Sequence, residues 1–343
     1  MSDLLGLVAR RLLLIPVSLL VLVTLTFGIV SLVPGDPATL IVGEYSDPEQ
    51  LAQVRERLGL DKPVPEQFVS YVSSLVRGDL GNSYYTDQPV GGEIMRRLPN
   101  TLILVVPALL LAVLLGTILG GIAGFFRRRW PDRGASTVIT ITQGIPEFFL
   151  AVVLIYVIVF QLDLLPTPVG MVSVDAPTPP ATTGVLPIDA VIHGSWSTLG
   201  SIALHAVLPV LSAGIFLSAY FAKTIRTCVG EAMASPQIEF ARACGLPERK
   251  VVSYALLAAR TPVLTYSAIM FGVLLSSISI LEVVFAWPGV GSWALEGIVK
   301  GDIPIIQGFV FATGFIVILA YLVLDVVVAW LDPRISYGER GTH

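Results

Sequence analysis

Glu239-Phe-Ala-Arg-Ala-Cys-Gly-Leu-Pro247 is a short polar island between two long apolar runs, Leu199–Phe221 and Pro262–Trp287. Just ahead of it, Ser235 is suited to cap a helix and Pro236 to open one. Gly245 supplies a left-handed stop, and Leu246-Pro247-Glu248 begins a second helix. A compact helix–glycine–helix unit between two apolar runs is something another protein docks against. The plainer reading is an amphipathic helix lying on a bilayer, or a capped turn.

The flanks decide what kind of protein carries this unit. Hydrophobic residues make up 54% of the 343 residues and charged ones 13%, with a mean hydropathy of +0.81. Such a composition excludes an ordinary soluble domain. The apolar residues are gathered into runs, which is the signature of membrane spans rather than of a large core. Six spans are predicted: Leu12–Val33, Thr101–Phe126, Ala135–Phe160, Leu199–Phe221, Pro262–Trp287 and Gln307–Leu331. Each is long enough to cross a hydrocarbon layer of about 30 Å. The fold class is therefore all-α integral membrane protein. The first run follows Arg10-Arg11 but exceeds a signal-peptide core of about 7–15 residues, so it is read as a retained anchor. Cys228 and Cys244 are too few and too far apart for a disulfide framework.

Basic residues orient the chain. With both termini on one side, that side holds fourteen of the 21 Lys and Arg residues, including Arg127–Arg129, Lys223, Arg226 and Arg242. The positive-inside rule puts both termini, and the Glu239–Pro247 island, in the cytoplasm.

This frame divides the chain into a cytoplasmic N-terminus (1–11), a first span (12–33), an extracytoplasmic region (34–100), a five-span core (101–331) and a cytoplasmic C-terminus (332–343). The core contains the cytoplasmic loop 222–261. After the Pro34-Gly-Asp-Pro37 turn, the region 34–100 is expected to form a small helical cap. Asp47-Pro48-Glu49 starts one helix, with Leu51, Val54 and Leu58 on one face before Gly59. Pro65-Glu66 opens another, with Phe68, Val72, Leu75 and Val76 turned inward and an end near Gly78. The loop Leu165–Pro187 is too dense in turn residues for regular structure. Trp287-Pro-Gly-Val-Gly291 is read as a turn with an interfacial tryptophan. In the third span, Ile145-Pro146-Glu147-Phe148 places a helix breaker and a carboxyl near mid-depth. An acid there costs about 2.5–3.5 kcal/mol on insertion scales, so it must face a partner helix or a wet cavity.

Several chemistries are missing from the sequence. There is no G-x-x-x-x-G-K-[ST] loop for binding ATP, no H-E-x-x-H, and no G-x-S-x-G. His193, His205 and His343 are not spaced as a metal cluster. A membrane-embedded enzyme is poorly supported, and no metal site is expected. The absence of visible similarity between the two halves disfavours a transporter built from inverted repeats.

Several blocks, in order, resemble the transmembrane permease of ABC-type dipeptide/oligopeptide/nickel importers, specifically the first, B-type, permease. They are Val33-Pro-Gly-Asp-Pro37, Leu58–Pro63, Arg77–Ser83, Arg97–Thr101, Glu282–Gly291 and Leu331–Ile335. The cytoplasmic loop resembles that family's EAA loop, roughly E-A-A-x-x-x-G followed by a later proline. Glu239 stands at the acidic position, Phe240 replaces the first alanine, and Ala241 and Gly245 keep theirs; Pro262 is the later proline. Cys244 departs from the basic residue usual before the glycine.

The resemblance implies a type I importer-like fold and a pore-forming subunit that is no enzyme and binds no cofactor itself. ATP and Mg would be used by two cytoplasmic ATPase subunits. The other implied partners are a second homologous permease, an extracytoplasmic solute-binding protein, the lipid bilayer of a bacterial cytoplasmic membrane and a peptide substrate, with no nucleic acid. Glu239, Phe240, Ala241, Arg242 and Gly245 would form the helix that couples to the ATPase. Ile238 and Phe240 would supply apolar contact, and Arg242 and Glu239 peripheral ion pairs. Glu147 and Glu282 are the candidates for the translocation pathway, with Glu147 the better placed to meet a peptide amino terminus. Glu282 and Asp325 match family positions near span ends and are also read as structural or gating residues. A nickel or small-solute importer of the same family remains open. So does an ion-coupled secondary transporter that uses Glu147.

Overall fold

The computed structural model describes residues 2–32, 38–39 and 47–331. The expected Pro34–Pro37 turn and the C-terminus 332–343 lie outside the described residues. Among the described residues the chain is helical, with one isolated bridge pairing Asn82 and Pro89.

Among the described residues, five helices are long and apolar enough to cross a membrane. They are α1 (Ser2–Leu32), α4 (Val90–Phe125), α8 (Trp196–Met233), α11 (Arg260–Val284) and α13 (Ile303–Leu331). The expected third span, Ala135–Phe160, is not one rod. It is α5 (Trp130–Gly144) and a second piece from Glu147 to Gln161, bent by 100° at Ile145-Pro146. That second piece starts as α6 (Glu147–Leu154) and finishes as a π-helical turn, Ile155–Gln161. Pro146 lacks the amide hydrogen a helix needs, and it forces Ile145 into extended backbone at ψ 124°. The helices also overrun the apolar runs. α4 begins eleven residues before Thr101 and α8 continues twelve beyond Phe221, because hydropathy reports only the part a bilayer would cover.

α4 and α8 form the spine of the bundle. Gly116, Gly120 and Gly124 recur every fourth residue, so they share one face of α4. A Cβ at Gly116 would lie 2.5 Å from Phe221 Cβ, one at Gly120 2.4 Å from the Ala222 carbonyl oxygen, and one at Gly124 2.8 Å from Val229 Cβ. Small residues at this spacing let two backbones approach, which is how helices gain packing energy where hydrophobic burial offers little. Leu104, Val105, Ala108 and Ala112 extend the seam into the main apolar core with Leu217, Phe221 and Ile225. Arg226 of α8 ties down α5: its Nε and Nη2 donate to Asp132 at 2.8 and 3.1 Å.

The region after the first span holds the two expected helices, α2 (Pro48–Leu58) and α3 (Val64–Val76). Asp47 caps α2 by accepting from Glu49 N, and Gly59 ends it at φ 68°. Phe27 of α1 packs on Phe68 and Tyr71 of α3, at 5.3 and 6.0 Å between centroids. Burial and an apolar setting push the Tyr71 hydroxyl up to about 12. Val76, expected to face inward, is 82% exposed at the last turn of α3.

The stretch from Leu162 runs without a helix to α7 (Leu186–Ile192). Asp189 organises the turn before α7, accepting from Thr183 N and Oγ1 at 2.7 Å and from Gly184 N at 3.1 Å. Burial alone would raise its pKa, but these bonds outweigh that and hold the carboxyl below the usual carboxylate range.

Candidate functional site: a capped surface helix and two buried carboxyls

The polar island is a separate eight-residue helix, α9 (Pro236–Ala243), at the end of α8. Ser235 is its N-cap, its Oγ accepting from Ile238 N at 3.4 Å. The stop is a Schellman arrangement: Leu246 N donates to Ala241 O at 3.1 Å and Gly245 N to Arg242 O at 2.9 Å. Gly245 has φ 76°, a conformation L side chains rarely adopt, and no heavy atom lies within 4 Å of its hypothetical Cβ. The chain then turns into α10 (Glu248–Ala258), which packs back on α8.

Two side chains of this helix are engaged within the chain. Ile238 is 5% exposed, so it anchors α9 to its own chain and is not offered outward. Arg242 closes the unit internally, its Nε and Nη2 donating to Glu248 at 3.1 and 3.4 Å. Phe240 is 71% exposed, and Glu239, Ala243 and Cys244 are exposed beside it. The outward face is thus an aromatic ring amid small and polar groups on a rigidly capped helix.

Glu282 lies at the opposite end of the bundle, fully buried. Its Oε1 accepts from Thr101 Oγ1 at 2.5 Å and its Oε2 from Ser292 N at 2.7 Å. Thr101 Oγ1 in turn accepts from Val290 N at 2.9 Å. Around it, Asn100 Nδ2 donates to Pro288 O and Trp287 Nε1 to Asn100 O, both at 2.9 Å. Trp287 is therefore not an interfacial residue: it is 1% exposed and packed in the core. A Cβ at Gly289 would fall 1.9 Å from Glu282 Oε1, and one at Gly291 2.2 Å from Ser279 Oγ. The turn leads into α12 (Val290–Lys300), which the sequence reading did not anticipate. Its signals were the N-terminal glycines and the period of Val290, Trp293, Ala294 and Gly297, all buried.

Glu147 is at the first position of α6, at the corner of the broken span. Its Oε1 is buried without a hydrogen-bond partner. Glu282 is on α11, enclosed by partners of its own. The structure does not join these two acids into one site. Asp325 is partly buried in α13.

A polytopic helical bundle with one span broken at a carboxyl, and a capped helix projecting from one end, is the construction of a membrane permease subunit. Two family models cover the chain, one for the N-terminal part of binding-protein-dependent transport system membrane components over residues 4–105, the other for the inner membrane component itself over residues 112–337. The chain belongs to the binding-protein-dependent transport system inner membrane component family.

Among its relatives, the probable D,D-dipeptide transport system permease protein DdpB of Escherichia coli strain K12 is 36% identical, over 92% of each chain. The di/tripeptide transport system permease protein DppB of Pseudomonas aeruginosa strain UCBPP-PA14 is 34% identical, over 97% of this chain and 99% of its own. The glutathione transport system permease protein GsiC of Escherichia coli strain K12 is 34% identical, over 96% and 98%. A solved structure described as an amino acid ABC transporter with histidines overlaps 71% of this chain and 94% of its own, at 19% identity and a TM-score of 0.46. The family is one of multi-pass ABC importer permeases in the inner membrane. The chain is thus a transport subunit and not an enzyme; ATP hydrolysis belongs to separate subunits, and substrate capture to a binding protein.

Proposed function

We propose that this chain is one of two permease subunits of an ATP-driven peptide importer, with both termini in the cytoplasm. The peptide assignment is supported by relatives described as dipeptide, di/tripeptide and glutathione permeases. The orientation is supported by the basic residues gathered on the α9 side.

The observation that carries the mechanism is the rigid cap and exposed face of α9. Ser235 and Gly245 fix both ends of the helix, Ile238 roots it, and Phe240 faces out. A helix so held transmits force as a rigid body. Closure of two cytoplasmic ATPases on ATP and Mg pushes on Glu239, Phe240, Ala241 and the following turn. The motion passes through α8 to its glycine-seamed partner α4, and switches the passage between outward and inward access. Glu147, at the break, lies on that passage. Glu282 holds the far end of α4 to the turn after α11 and keeps that end rigid while the other moves.

The test is ATP-coupled peptide uptake by the assembled complex. Gly245→Trp and Glu239→Arg are each expected to abolish uptake while complex assembly persists. Unchanged uptake in both variants overturns the coupling role.

A further inference from the structure

One face of α10 is only partly covered by its own chain. Arg249, Val252, Ser253, Leu256 and Leu257 recur at three- and four-residue spacing and share that face. With Thr117 of α4, Ile225 of α8 and the first turn of α11, they line a groove of about 490 Å³. Apart from Thr117, Ser253 and two arginines, its walls are aliphatic. Leu257 is 53% exposed within it.

Two contacts give the depth of the groove. Arg260, on its wall, donates from Nη2 to the carbonyl of Leu331, the last residue of α13. The end of an apolar span marks the level where hydrocarbon gives way to headgroups. Thr117 lies eight residues before the end of α4, about 12 Å along the axis and so within the hydrocarbon. The groove thus runs from headgroup level into the leaflet on the α9 side. Its charge is of one sign, since Arg249 and Arg260 line it and no acid does. Glu248, the acid beside Arg249 in sequence, is held by Arg242. Among the described residues the Arg249 guanidinium has neither ion pair nor hydrogen bond.

An aliphatic trough with unpaired arginines at headgroup level selects an amphiphile with an anionic head. A soluble anion has no use for the aliphatic walls, and a zwitterionic lipid carries its own cation. Guanidinium donors match phosphate oxygens, and basic pockets between spans are where anionic headgroups settle. We infer that the groove between α10, α11 and the α4–α8 spine binds an anionic phospholipid of the leaflet on the α9 side. An acyl chain fills the aliphatic part and the phosphate meets Arg249 and Arg260, with the exposed Ser253 hydroxyl beside it. The site goes beyond the importer reading and requires only that the helices span a bilayer.

The experiment places the assembled complex in nanodiscs of phosphatidylglycerol and phosphatidylcholine in equal amounts. A photoreactive benzoylphenylalanine replaces Leu257, and the lipid adducts formed on irradiation are weighed by mass spectrometry. Phosphatidylglycerol adducts should predominate. Arg249→Gln should lower the glycerol-to-choline adduct ratio about fivefold, and Arg249→Lys should keep most of it. Arg249 is exposed and unbonded, so its loss leaves the fold intact. Lys250→Gln removes the same charge one residue away, off the groove, and should leave the ratio unchanged. A wild-type ratio near one, or an equal fall in Lys250→Gln, overturns the site. Adducts to the second permease in place of lipid also overturn it, since protein then covers the groove. A complex that keeps the lipid preference yet imports no peptide supports the site and overturns the importer reading alone.

Discussion

Thr101 Oγ1 donates to Glu282 Oε1 at 2.5 Å, across 181 residues of sequence, and both side chains are fully buried. The contact joins α4 to α11 at the end of the bundle away from α9. Because Thr101 Oγ1 also accepts from Val290 N, the same hydroxyl fixes the start of α12. One small side chain therefore sets three elements.

Thr101→Val is expected to lower the stability of the purified complex by about 1–3 kcal/mol, the cost of stranding buried polar groups. The valine leaves both a carboxylate oxygen and the Val290 amide without a partner. Gly289→Ala should cost more, since its methyl would overlap the Glu282 carboxylate. Thermal unfolding midpoints in detergent check both, and a variant melting with wild type removes the staple from the account.

The glycine seam of α4 should tolerate no side chain. Gly120→Val is expected to prevent accumulation of folded chain, because even its Cβ would press on the Ala222 carbonyl. Gly121→Ala is the matched control. Its new Cβ would meet only Leu256 Cδ2, at an ordinary 3.5 Å, and alanine favours a helix over glycine by about 1 kcal/mol. Membrane levels of the two variants, measured side by side, decide the matter.

Phe240→Ala should leave the chain's stability within about 0.5 kcal/mol of wild type, as expected for an exposed position. Its effect should appear only when ATPases are present, as lost affinity for them and lower ATP-coupled uptake. Ser235→Ala, in contrast, removes the α9 cap and should cost about 1 kcal/mol of local helix stability. Titrating purified ATPase against each variant in nanodiscs separates the two effects.

The Asp189 turn should weaken in acid. Its folded pKa lies below the ordinary carboxylate value, so the carboxylate's bonds contribute fully at neutral pH. That contribution disappears as pH falls from the unfolded value through the depressed folded one. Asp189→Asn should therefore make proteolysis of the 177–195 segment faster at pH 7 and remove most of its sensitivity to acid. Equal pH dependence in both proteins would count against this.

Much of this architecture is legible in the chain. Six apolar runs mark the five long helices and the bent pair, and Ser235, Pro236 and Gly245 give the limits of α9, because caps and stops are local chemistry. Asp47, Pro48 and Gly59 define α2 in the same way. Where the reading fell short, the deciding contact is distant in sequence. Ile238 and Phe240 are both apolar and two residues apart, and only packing beneath α9 shows that one is buried and the other presented. Trp287 reads as interfacial by type, and it is buried because Asn100, far away in the chain, accepts its indole N–H.

The sequence by itself determined a membrane protein of several apolar runs long enough to cross a bilayer, with a capped helix between the fourth and fifth of them, since bilayer thickness and backbone capping act over a few turns. Tertiary structure alone decided the 100° corner at Glu147 and the close approach of α4 and α8 along Gly116, Gly120 and Gly124. It also decided the enclosure of Glu282 by Thr101 and Ser292. Each depends on which surfaces meet across long stretches of chain, where a single methyl or one hydrogen-bond partner changes the outcome, and local propensity carries no record of that.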